Sequence, residues 1–396
     1  MMPFLVNFSL FTGSILIYLY PKLPQTNQID FIEWLIVLGG VLRRSPRKEF
    51  INMPSVGLGL VGCGNFSGSL AAAVLNCRRA RLVTCYDTDP EKQRRFSETF
   101  ACAHEPSYED LLQRTDVDGV LLVSPNAEHA AQAVLAARYG KHVFVEKPIA
   151  NTIAEGEKMI AACDAAGVTL MVGHLRRRSG GIRKAREMID QGAIGEPVMV
   201  EANVSSDSGF NLTPDKFRWC GDDSGCPGGA LMTSGIHHVD TFNYLLGPIK
   251  SVSAYFKKLF ISADVEDVNL TVFEFESGVL GYLGATYASP YDNWLYIHGT
   301  RAGLMWLVPR PIPDTVKFPH NKDQYTRLML LEKNKPPKDI PFSGGDPVLE
   351  EIDEFARCIQ SGERPETDGQ VALGILAFIR AAAQAARSGQ KVQLAG

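Results

Sequence analysis

The sequence has no basic stripe and no paired-cysteine motif, and these absences exclude several classes of protein. Its 396 residues carry a formal net charge of −4. No run of lysine and arginine is interleaved with aromatic side chains, so we expect no nucleic-acid partner. The eight cysteines show neither CxxC spacing nor the density of a disulfide scaffold. They are typical of small buried side chains in a reducing compartment, and we expect a cytoplasmic protein without a metal site.

Residues 1–52 form an N-terminal extension that lacks the marks of a targeting segment. Met1–Tyr20 contains no charged side chain but is barely long enough to cross a bilayer, and Phe31–Leu42 is too short. A signal peptide would need a basic start and a small-residue cleavage site, and neither is convincing. Met53 directly precedes the first strand of a regular pattern. Three interpretations stay open: a start codon assigned too far upstream, a membrane anchor, or a peripheral extension. Membrane contact is expected only if residues 1–52 are genuine.

The segment around which the chain is organised is VGLGLVGCGNFSG, residues 56–68. It combines an apolar strand, a glycine-rich turn and the start of a helix-prone run. Gly62 and Gly64 fill the first two positions of G-x-G-x-x-G, and Ser67 stands at the third. Free backbone N–H groups at a helix N-terminus suit a pyrophosphate, so the segment predicts a dinucleotide site that includes Asn65 and Phe66. An ordinary turn between a strand and a helix is the alternative.

Asp87 ends the second predicted strand, RLVTCY, about twenty residues after the glycine turn. In a dinucleotide fold an acidic residue at this place binds the hydroxyl groups of the adenosine ribose. A carboxylate there repels a 2′-phosphate, which favours NAD and leaves NADP as the second candidate. Alternatively Asp87 starts the next helix, although Asp89 is the better cap.

Strands and helices alternate as far as Gly173, which predicts an α/β fold with a doubly wound parallel sheet. From about Val198 consecutive strands replace the alternation and predict an α+β domain with a large, open, mostly antiparallel sheet. Asp314–Pro341 is rich in proline and lysine and predicts an irregular loop. We therefore expect a Rossmann domain over residues 53–174 and a substrate-binding and oligomerisation domain with C-terminal helices over residues 175–396. The open sheet face favours a homo-oligomer, a dimer or a tetramer.

The motifs together resemble the Gfo/Idh/MocA oxidoreductase family. The matching segments, in chain order, are GLVGCG, the acidic end of the second strand, VDGVLLVSPNAEH, GKHVFVEKPIA, VGHLRRR, GGALMTSGIHHVDTFNYLLG, VEDVNLTVFEFESGVLGYL and SGERPETDGQVALGILAFIRAAAQAARSG. The resemblance covers most of the chain after Met53. It implies an NAD(P)-dependent dehydrogenase that transfers a hydride between the cofactor and a secondary hydroxyl or ketone of a sugar, cyclitol or related polyol.

The reaction needs a group that takes the hydroxyl proton as the ketone forms. Lys147 follows a predicted buried strand and so lies where ligands of parallel sheets bind, although a surface lysine is the alternative. By resemblance Lys147 is catalytic and contacts the cofactor, the Lys147–Pro148 bond is cis, and Glu146 orients the lysine. The resemblance also makes His237 catalytic, with a buried core histidine as the alternative. Thr233, which shares a helix face with His237, stands where the family has an acidic or amide residue.

Further cofactor and substrate contacts are expected from two more motifs. Ser124, Pro125, Asn126 and His129 match the family's turn after a strand, where Asn126 would lie near the nicotinamide ribose and His129 would hold the turn. Arg177 matches an arginine that contacts substrate or cofactor. The alternative for Arg176–Arg178 is a solvated start of a helix.

Two other functions stay open. One is an NAD-dependent enzyme with a net non-redox result, as in NAD-dependent glycosidases, and the other is a non-catalytic regulator that binds a dinucleotide. The presence of both Lys147 and His237 argues against the regulator.

Overall fold

A computed structural model describes residues 54–211, 228–311 and 323–394, and the backbone of two short strands before them. The chain divides into two compact units, Met1–Asn52 and Met53–Gly396. In the first unit the short strands β1, Ser9–Leu10, and β2, Gly13–Ser14, pair antiparallel. The interpretations of the rest of residues 1–52 lie outside the described residues.

The second unit begins with a parallel sheet. In the described ranges its six strands are β3 Val56–Val61, β4 Ala80–Tyr86, β5 Ala103–His104, β6 Gly119–Leu122, β7 His142–Glu146 and β8 Leu170–Gly173. They lie in the order β5-β4-β3-β6-β7-β8, and every pair is parallel. The strand order reverses at β3, and ligands of such sheets bind outside the carboxyl ends at that switch point. The predicted doubly wound sheet is confirmed.

Helices cover both faces of this sheet. The described helices are α1 Ser67–Asn76, α2 Pro90–Phe100, α3 Tyr108–Gln113, α4 Asn126–Arg138, α5 Ile153–Ala166, α6 Gly180–Asp190, α7 Ile236–Leu246, α8 Pro347–Ser361 and α9 Gly369–Ser388. Leu70 of α1 and Ile352 of α8 share a core with Leu58 of β3. Ala133 of α4 and Met159 of α5 belong to the core on the other face. Because both faces are covered, β3 is buried along its whole length.

A second, mixed sheet follows. Within the described residues its strands are β9 Pro197–Ser205, β10 Ile249–Lys257, β11 Val268–Phe275, β12 Leu280–Thr286, β13 Asp292–Gly299, β14 Ala302–Leu307, β15 Arg327–Glu332, β16 Lys338–Asp339 and β17 Val392–Gln393. Their order is β16-β15-β14-β13-β9-β12-β11-β10-β17, and only the β9–β12 pair is parallel. The predicted large, mostly antiparallel sheet is therefore confirmed.

The prediction of an irregular loop over Asp314–Pro341 is wrong for part of this segment. β15 pairs with β14 over six residues, from Ala302 opposite Glu332 to Leu307 opposite Arg327. The proline and lysine content of the segment hides this strand, because its pairing partner supplies the order. Residues 314–322 of the predicted loop lie outside the described part of the chain.

Helices α7 and α9 pack on one face of the second sheet. Phe242 of α7 and Phe378 of α9 both contact the ring of Phe273 on β11, at centroid distances of 5.1 and 5.4 Å. Of the described helices, α9 alone has the length and hydropathy to span a membrane, but 56% of its most apolar window is buried inside the protein. Such burial is typical of a core helix.

Candidate active site

The glycine turn after β3 has the geometry of a pyrophosphate cradle. Gly62 has φ +96°, and a Cβ there would lie 2.8 Å from the backbone of Val123 and Ser124. A Cβ at Gly64 would meet no atom of the described residues within 4 Å, so among them the backbone at Gly64 is open to a ligand. No side chain in the described ranges caps the N-terminus of α1, whose N-cap is Phe66. The N–H groups of its first turn therefore suit an anion, and the residues fit the phosphates of a dinucleotide.

Asp87 lies beside this turn at the end of β4. Its Oδ2 accepts a hydrogen bond from the Cys63 backbone N–H at 2.6 Å, and its Oδ1 accepts one from the Asp89 N–H at 2.8 Å. Asp89, not Asp87, caps α2 by accepting from the N–H groups of Glu91 and Lys92. The alternative in which Asp87 starts the helix is therefore wrong. The Asp87 carboxylate borders the glycine turn, where a ribose would approach it.

The turn after β6 is tied to the strand that carries Lys147. The His129 ring is fully buried, and its Nδ1 and Nε2 lie 2.9 and 3.0 Å from the backbone oxygens of Pro148 and Ser124. His129 therefore holds this turn rather than facing a ligand. Pro125 precedes α4, and the buried Asn126 opens it. The Asn126 Nδ2 has no hydrogen-bond partner among the described residues, which fits a donor to a cofactor.

Lys147 stands at the carboxyl end of β7, next to a buried carboxyl group. The Lys147–Pro148 bond is cis, as predicted. The Lys147 Nζ donates to the backbone carbonyl of Thr233 at 2.9 Å. Burial lowers the pKa of the Lys147 ammonium from its ordinary value, against the opposing charge of Glu146. Burial also raises the pKa of Glu146 to about 7. Its Oε2 accepts from the Lys147 backbone N–H at 3.2 Å.

The segment that carries Thr233 and His237 is not one continuous α-helix. Leu231–Gly235 form a π-helix that leads into α7, so the predicted α-helical spacing is wrong over these five residues. The Thr233 hydroxyl donates to the Gly229 carbonyl at 2.9 Å, while its own carbonyl accepts from Lys147. π-turns are frequent at functional sites because they displace backbone groups from the helical ladder. His237 follows in the first turn of α7, 7% exposed.

The three arginines after β8 are buried, so the alternative of a solvated helix start is wrong. Arg176, Arg177 and Arg178 are 1%, 5% and 1% exposed. The Nε of Arg177 donates to Asp240 Oδ1 and Oδ2 at 3.1 and 3.2 Å, and Nη2 also donates to Oδ1. Arg178 contacts Glu354 and Glu366 at 2.9 and 3.2 Å. The carboxylates that pair with Arg177 and Arg178 are distant in the sequence, and this pairing offsets the cost of burying the two charges.

His174 is a residue that the sequence reasoning missed. It follows β8, whose Gly173 pairs with Glu146, and it is 1% exposed. Neither ring nitrogen has a hydrogen-bond partner within the described ranges. Burial lowers the pKa of His174 to about 4, and the charge of Lys147 acts in the same direction. The available signal was its position directly after the last strand of the parallel sheet, where ligands bind.

A cavity of about 1320 Å³ opens beside the glycine turn, and Asn65 and Phe66 line it together with Asp339, Phe342 and Asp346. Its lining in the described part of the chain does not include Lys147 or His237. In the same part, we find no group of three or more metal-binding side chains.

A parallel sheet with a glycine turn at its switch point and an acidic residue after β4 defines a dinucleotide-binding domain of the Rossmann type. Residues 56–174 match the model of the oxidoreductase family with an NAD-binding Rossmann fold, and residues 182–305 match the GFO/IDH/MocA C-terminal domain. The chain belongs to the Gfo/Idh/MocA family of oxidoreductases, as the sequence motifs predicted.

The similarity to known proteins extends over nearly the whole of the second unit. The D-xylose 1-dehydrogenase [NADP(+)] of Haloarcula marismortui is 26% identical over 90% of this chain and 98% of its own. The scyllo-inositol 2-dehydrogenase (NAD(+)) of Bacillus subtilis is 30% identical over 73% of this chain and 81% of its own. The crystal structure of a putative NADPH-dependent oxidoreductase from Desulfitobacterium hafniense matches with a TM-score of 0.81 and 31% identity, over 86% of this chain and 98% of that one.

Proposed function

We propose that the protein is an NAD(P)-dependent dehydrogenase that oxidises a secondary hydroxyl of a sugar, cyclitol or related polyol, or reduces the matching ketone. One observation carries the proposal. The Lys147 Nζ, at the carboxyl end of β7, reaches across to the backbone of Thr233, one turn before His237. The amine that we assign to proton transfer thus stands at the edge of the sheet where the glycine turn would hold a dinucleotide.

When bound at the glycine turn, NAD(P) would supply the hydride acceptor for the carbon that bears the hydroxyl. The chain's own task is to remove the hydroxyl proton at the same carbon. Lys147 suits this task because its lowered pKa increases the share of neutral amine at physiological pH. In the reverse direction the ammonium returns the proton to the developing alkoxide.

His237 is the second group that we assign to the proton path. It lies on α7, directly after the π-helix whose Thr233 carbonyl binds Lys147. An imidazole there is suited to hold the substrate hydroxyl or to relay its proton, since histidine titrates near the working pH. Thr233 takes part through its backbone carbonyl. Glu146 is a positioning residue that accepts the Lys147 backbone N–H.

The substrate class is supported by the xylose and inositol dehydrogenases among the relatives. The test is a panel of sugars, cyclitols and polyols with NAD and NADP separately, followed at the absorbance of the reduced nicotinamide. We expect turnover of at least one of these alcohols, and His237→Ala to remove most of it while NAD binding is retained. Release of a free aglycone without net NADH would favour a glycosidase-like enzyme. Tight NAD binding without any turnover would favour a regulator.

We also propose that the chain acts as a cytoplasmic homo-oligomer. The six described cysteines are free thiols, which supports a reducing compartment. Leu270 and Val272 on β11 and Leu280 on the neighbouring β12 are 43%, 53% and 54% exposed. Exposed apolar side chains on adjacent strands of one sheet favour association with a second copy.

A further inference from the structure

Arg176 is a buried cation without a carboxylate partner in the described part of the chain. Its guanidinium is 1% exposed. Its Nη1 lies 3.1 Å from Asn293 Oδ1 and 3.2 Å from His238 Nε2, and its Cζ lies 5.3 Å from the centre of the Trp306 ring. All three neighbours are neutral, since burial and the Arg176 charge keep the pKa of His238 well below its usual value. Burying a cation is costly unless an anion accompanies it.

The next two residues show how this protein normally satisfies a buried arginine. Arg177 presents its Nε–Nη2 edge to the Asp240 carboxylate, and Arg178 contacts two glutamates. That edge carries two parallel N–H groups whose spacing matches a carboxylate. In Arg176 the hydrogen bonds to described residues use only Nη1, and its buried Nε has no partner among them. The edge that matches a carboxylate therefore makes no hydrogen bond with a described side chain.

Arg176 lies beside the proposed catalytic groups. Its charge acts on Lys147 and contributes to the lowered pKa of that ammonium. Arg176 contacts His238, the residue after His237, while Lys147 contacts Thr233 five residues earlier on the same helical segment. Both cations therefore approach one short stretch of the same helical segment. Because the Arg176 charge acts on Lys147, an anionic group bound at Arg176 would lie near the alcohol at Lys147.

We propose that Arg176 binds the carboxylate of the substrate and that the protein acts on a sugar acid, such as a uronate or an aldonate, rather than on a neutral polyol. The inference rests on the proposed dehydrogenase function and names its substrate class. The Arg176 Nη1 contacts Asn293 and His238, and the Trp306 ring lies against the guanidinium. These contacts leave the Nε–Nη2 edge for the substrate. The charge of Asp240 acts on Arg176, but that carboxylate is hydrogen-bonded to Arg177, so a substrate carboxylate would supply the direct partner that Arg176 lacks among the described residues.

The test compares acid and neutral sugars that differ in one group. D-Glucuronate against D-glucose and D-galacturonate against D-galactose are assayed with the full chain for NAD(P) reduction. Their binding to the NAD-loaded protein is measured in parallel by calorimetry. We expect kcat/KM and affinity to favour the acid of at least one pair by about tenfold or more, as a buried ion pair provides. Preference for the neutral member of both pairs would overturn the proposal.

Two variants separate recognition from folding. Arg176→Gln removes the charge but keeps a donor, and Asn293→Asp places a carboxylate beside Nη1 that competes with the substrate for the same cation. Both should lower the affinity for the preferred acid by about tenfold and change that for the neutral sugar by less than about threefold. Arg94→Gln, on the exposed surface of α2, is the control and should change neither. If Arg176→Gln does not fold, Asn293→Asp alone decides the question.

Equal losses for acid and neutral sugars in these variants would assign Arg176 a structural role and refute the proposal. The readouts also distinguish this failure from failure of the dehydrogenase function. Turnover of neutral sugars only would refute the acid substrate and leave the dehydrogenase intact. Acid binding that depends on Arg176 without any NAD(P) reduction would support the carboxylate site and contradict the dehydrogenase.

Discussion

At the scale of single residues, Asp87 offers a test of cofactor choice. Its carboxylate borders the glycine turn through the Cys63 N–H, and a 2′-phosphate at the adenosine ribose would meet a like charge. Asp87→Asn keeps the size and an acceptor oxygen but removes that charge. We expect the ratio of kcat/KM for NADP to that for NAD to rise by about tenfold or more, since a like-charge contact near the surface costs on the order of 1 to 3 kcal/mol.

The matched control for this test is Asp116→Asn, an acidic residue before β6 that pairs with Arg114. It should leave the cofactor ratio unchanged. An unchanged ratio in Asp87→Asn as well would mean that the carboxylate only supports the turn.

The raised pKa of Glu146 predicts how the free energy of unfolding depends on pH. Because burial raises its pKa from 4.5 to about 7, the folded protein holds this proton more tightly than the unfolded chain. The stabilising effect of the proton is complete below about pH 4.5 and is lost as pH rises to 7, an effect of about 3 kcal/mol. Glu146→Gln should therefore flatten the decline in the free energy of unfolding between pH 5 and pH 8, measured by urea denaturation.

Glu276→Gln, an exposed glutamate in the turn before β12, is the control and should reproduce the wild-type decline. A Glu146→Gln variant that declines as steeply as the wild-type protein would refute the assignment to Glu146.

At the scale of the elements, the side chain and the backbone carbonyl of Thr233, in the π-helix, make hydrogen bonds with different partners. Lys147 donates to the carbonyl, and within the described ranges the hydroxyl donates to the Gly229 carbonyl alone. Thr233→Val should therefore cost about 1 kcal/mol of stability through the lost hydrogen bond and keep kcat/KM within about threefold. Enzyme assays and thermal unfolding measure the two effects.

Thr241→Val is matched to it, because the Thr241 hydroxyl bonds back to the His237 carbonyl in the same way. The two variants should behave alike. A much larger loss of turnover in Thr233→Val than in Thr241→Val would show that the Thr233 hydroxyl takes part in the reaction.

Elements whose order comes from local pattern could be predicted from the sequence. The apolar strands of the first sheet, its alternating helices and β11 over Val268–Phe275 are found where the pattern places them. The π-helix at Leu231–Gly235 could not be predicted, because its residues suit an α-helix equally well. The strand β15 could not be predicted from the sequence, because its pairing with β14 depends on a contact between distant residues. Strand propensity depends strongly on such partners.

The candidate site shows the same division. The sequence placed Lys147 at a strand end, because strand ends of parallel sheets share one edge. It did not predict the burial of Arg176–Arg178, because the carboxylates that pair with Arg177 and Arg178 come from Asp240, Glu354 and Glu366. Charge alone predicts exposure, and only tertiary pairing reverses that expectation.

At the scale of the whole molecule, the apolar face of the second sheet predicts the oligomeric state. Val272 lies in the middle of β11 and is 53% exposed. Placing a charge there should dissociate the assembly, because an unpaired charge in an apolar interface is costly to bury. We expect Val272→Glu to be monomeric by sedimentation velocity at a concentration at which the wild-type protein is a dimer or tetramer.

Leu75→Glu is the control, since Leu75 is 59% exposed on α1, outside the second sheet, and should keep the wild-type mass. A wild-type protein that sediments as a monomer, or a Val272→Glu variant of unchanged mass, would contradict association through this face.

Lys147 is the residue to which we assign the substrate proton in an NAD(P)-dependent oxidation. The most direct measurement is the rate of NAD(P) reduction by Lys147→Met, with cofactor affinity determined on the same protein. Methionine keeps an unbranched side chain as far as the ε position and removes the amine. We expect a loss of kcat of about 10² to 10⁴-fold, the usual contribution of a general base, with NAD(P) affinity within about threefold of wild type. Near-full turnover by Lys147→Met would show that Lys147 does not take the substrate proton.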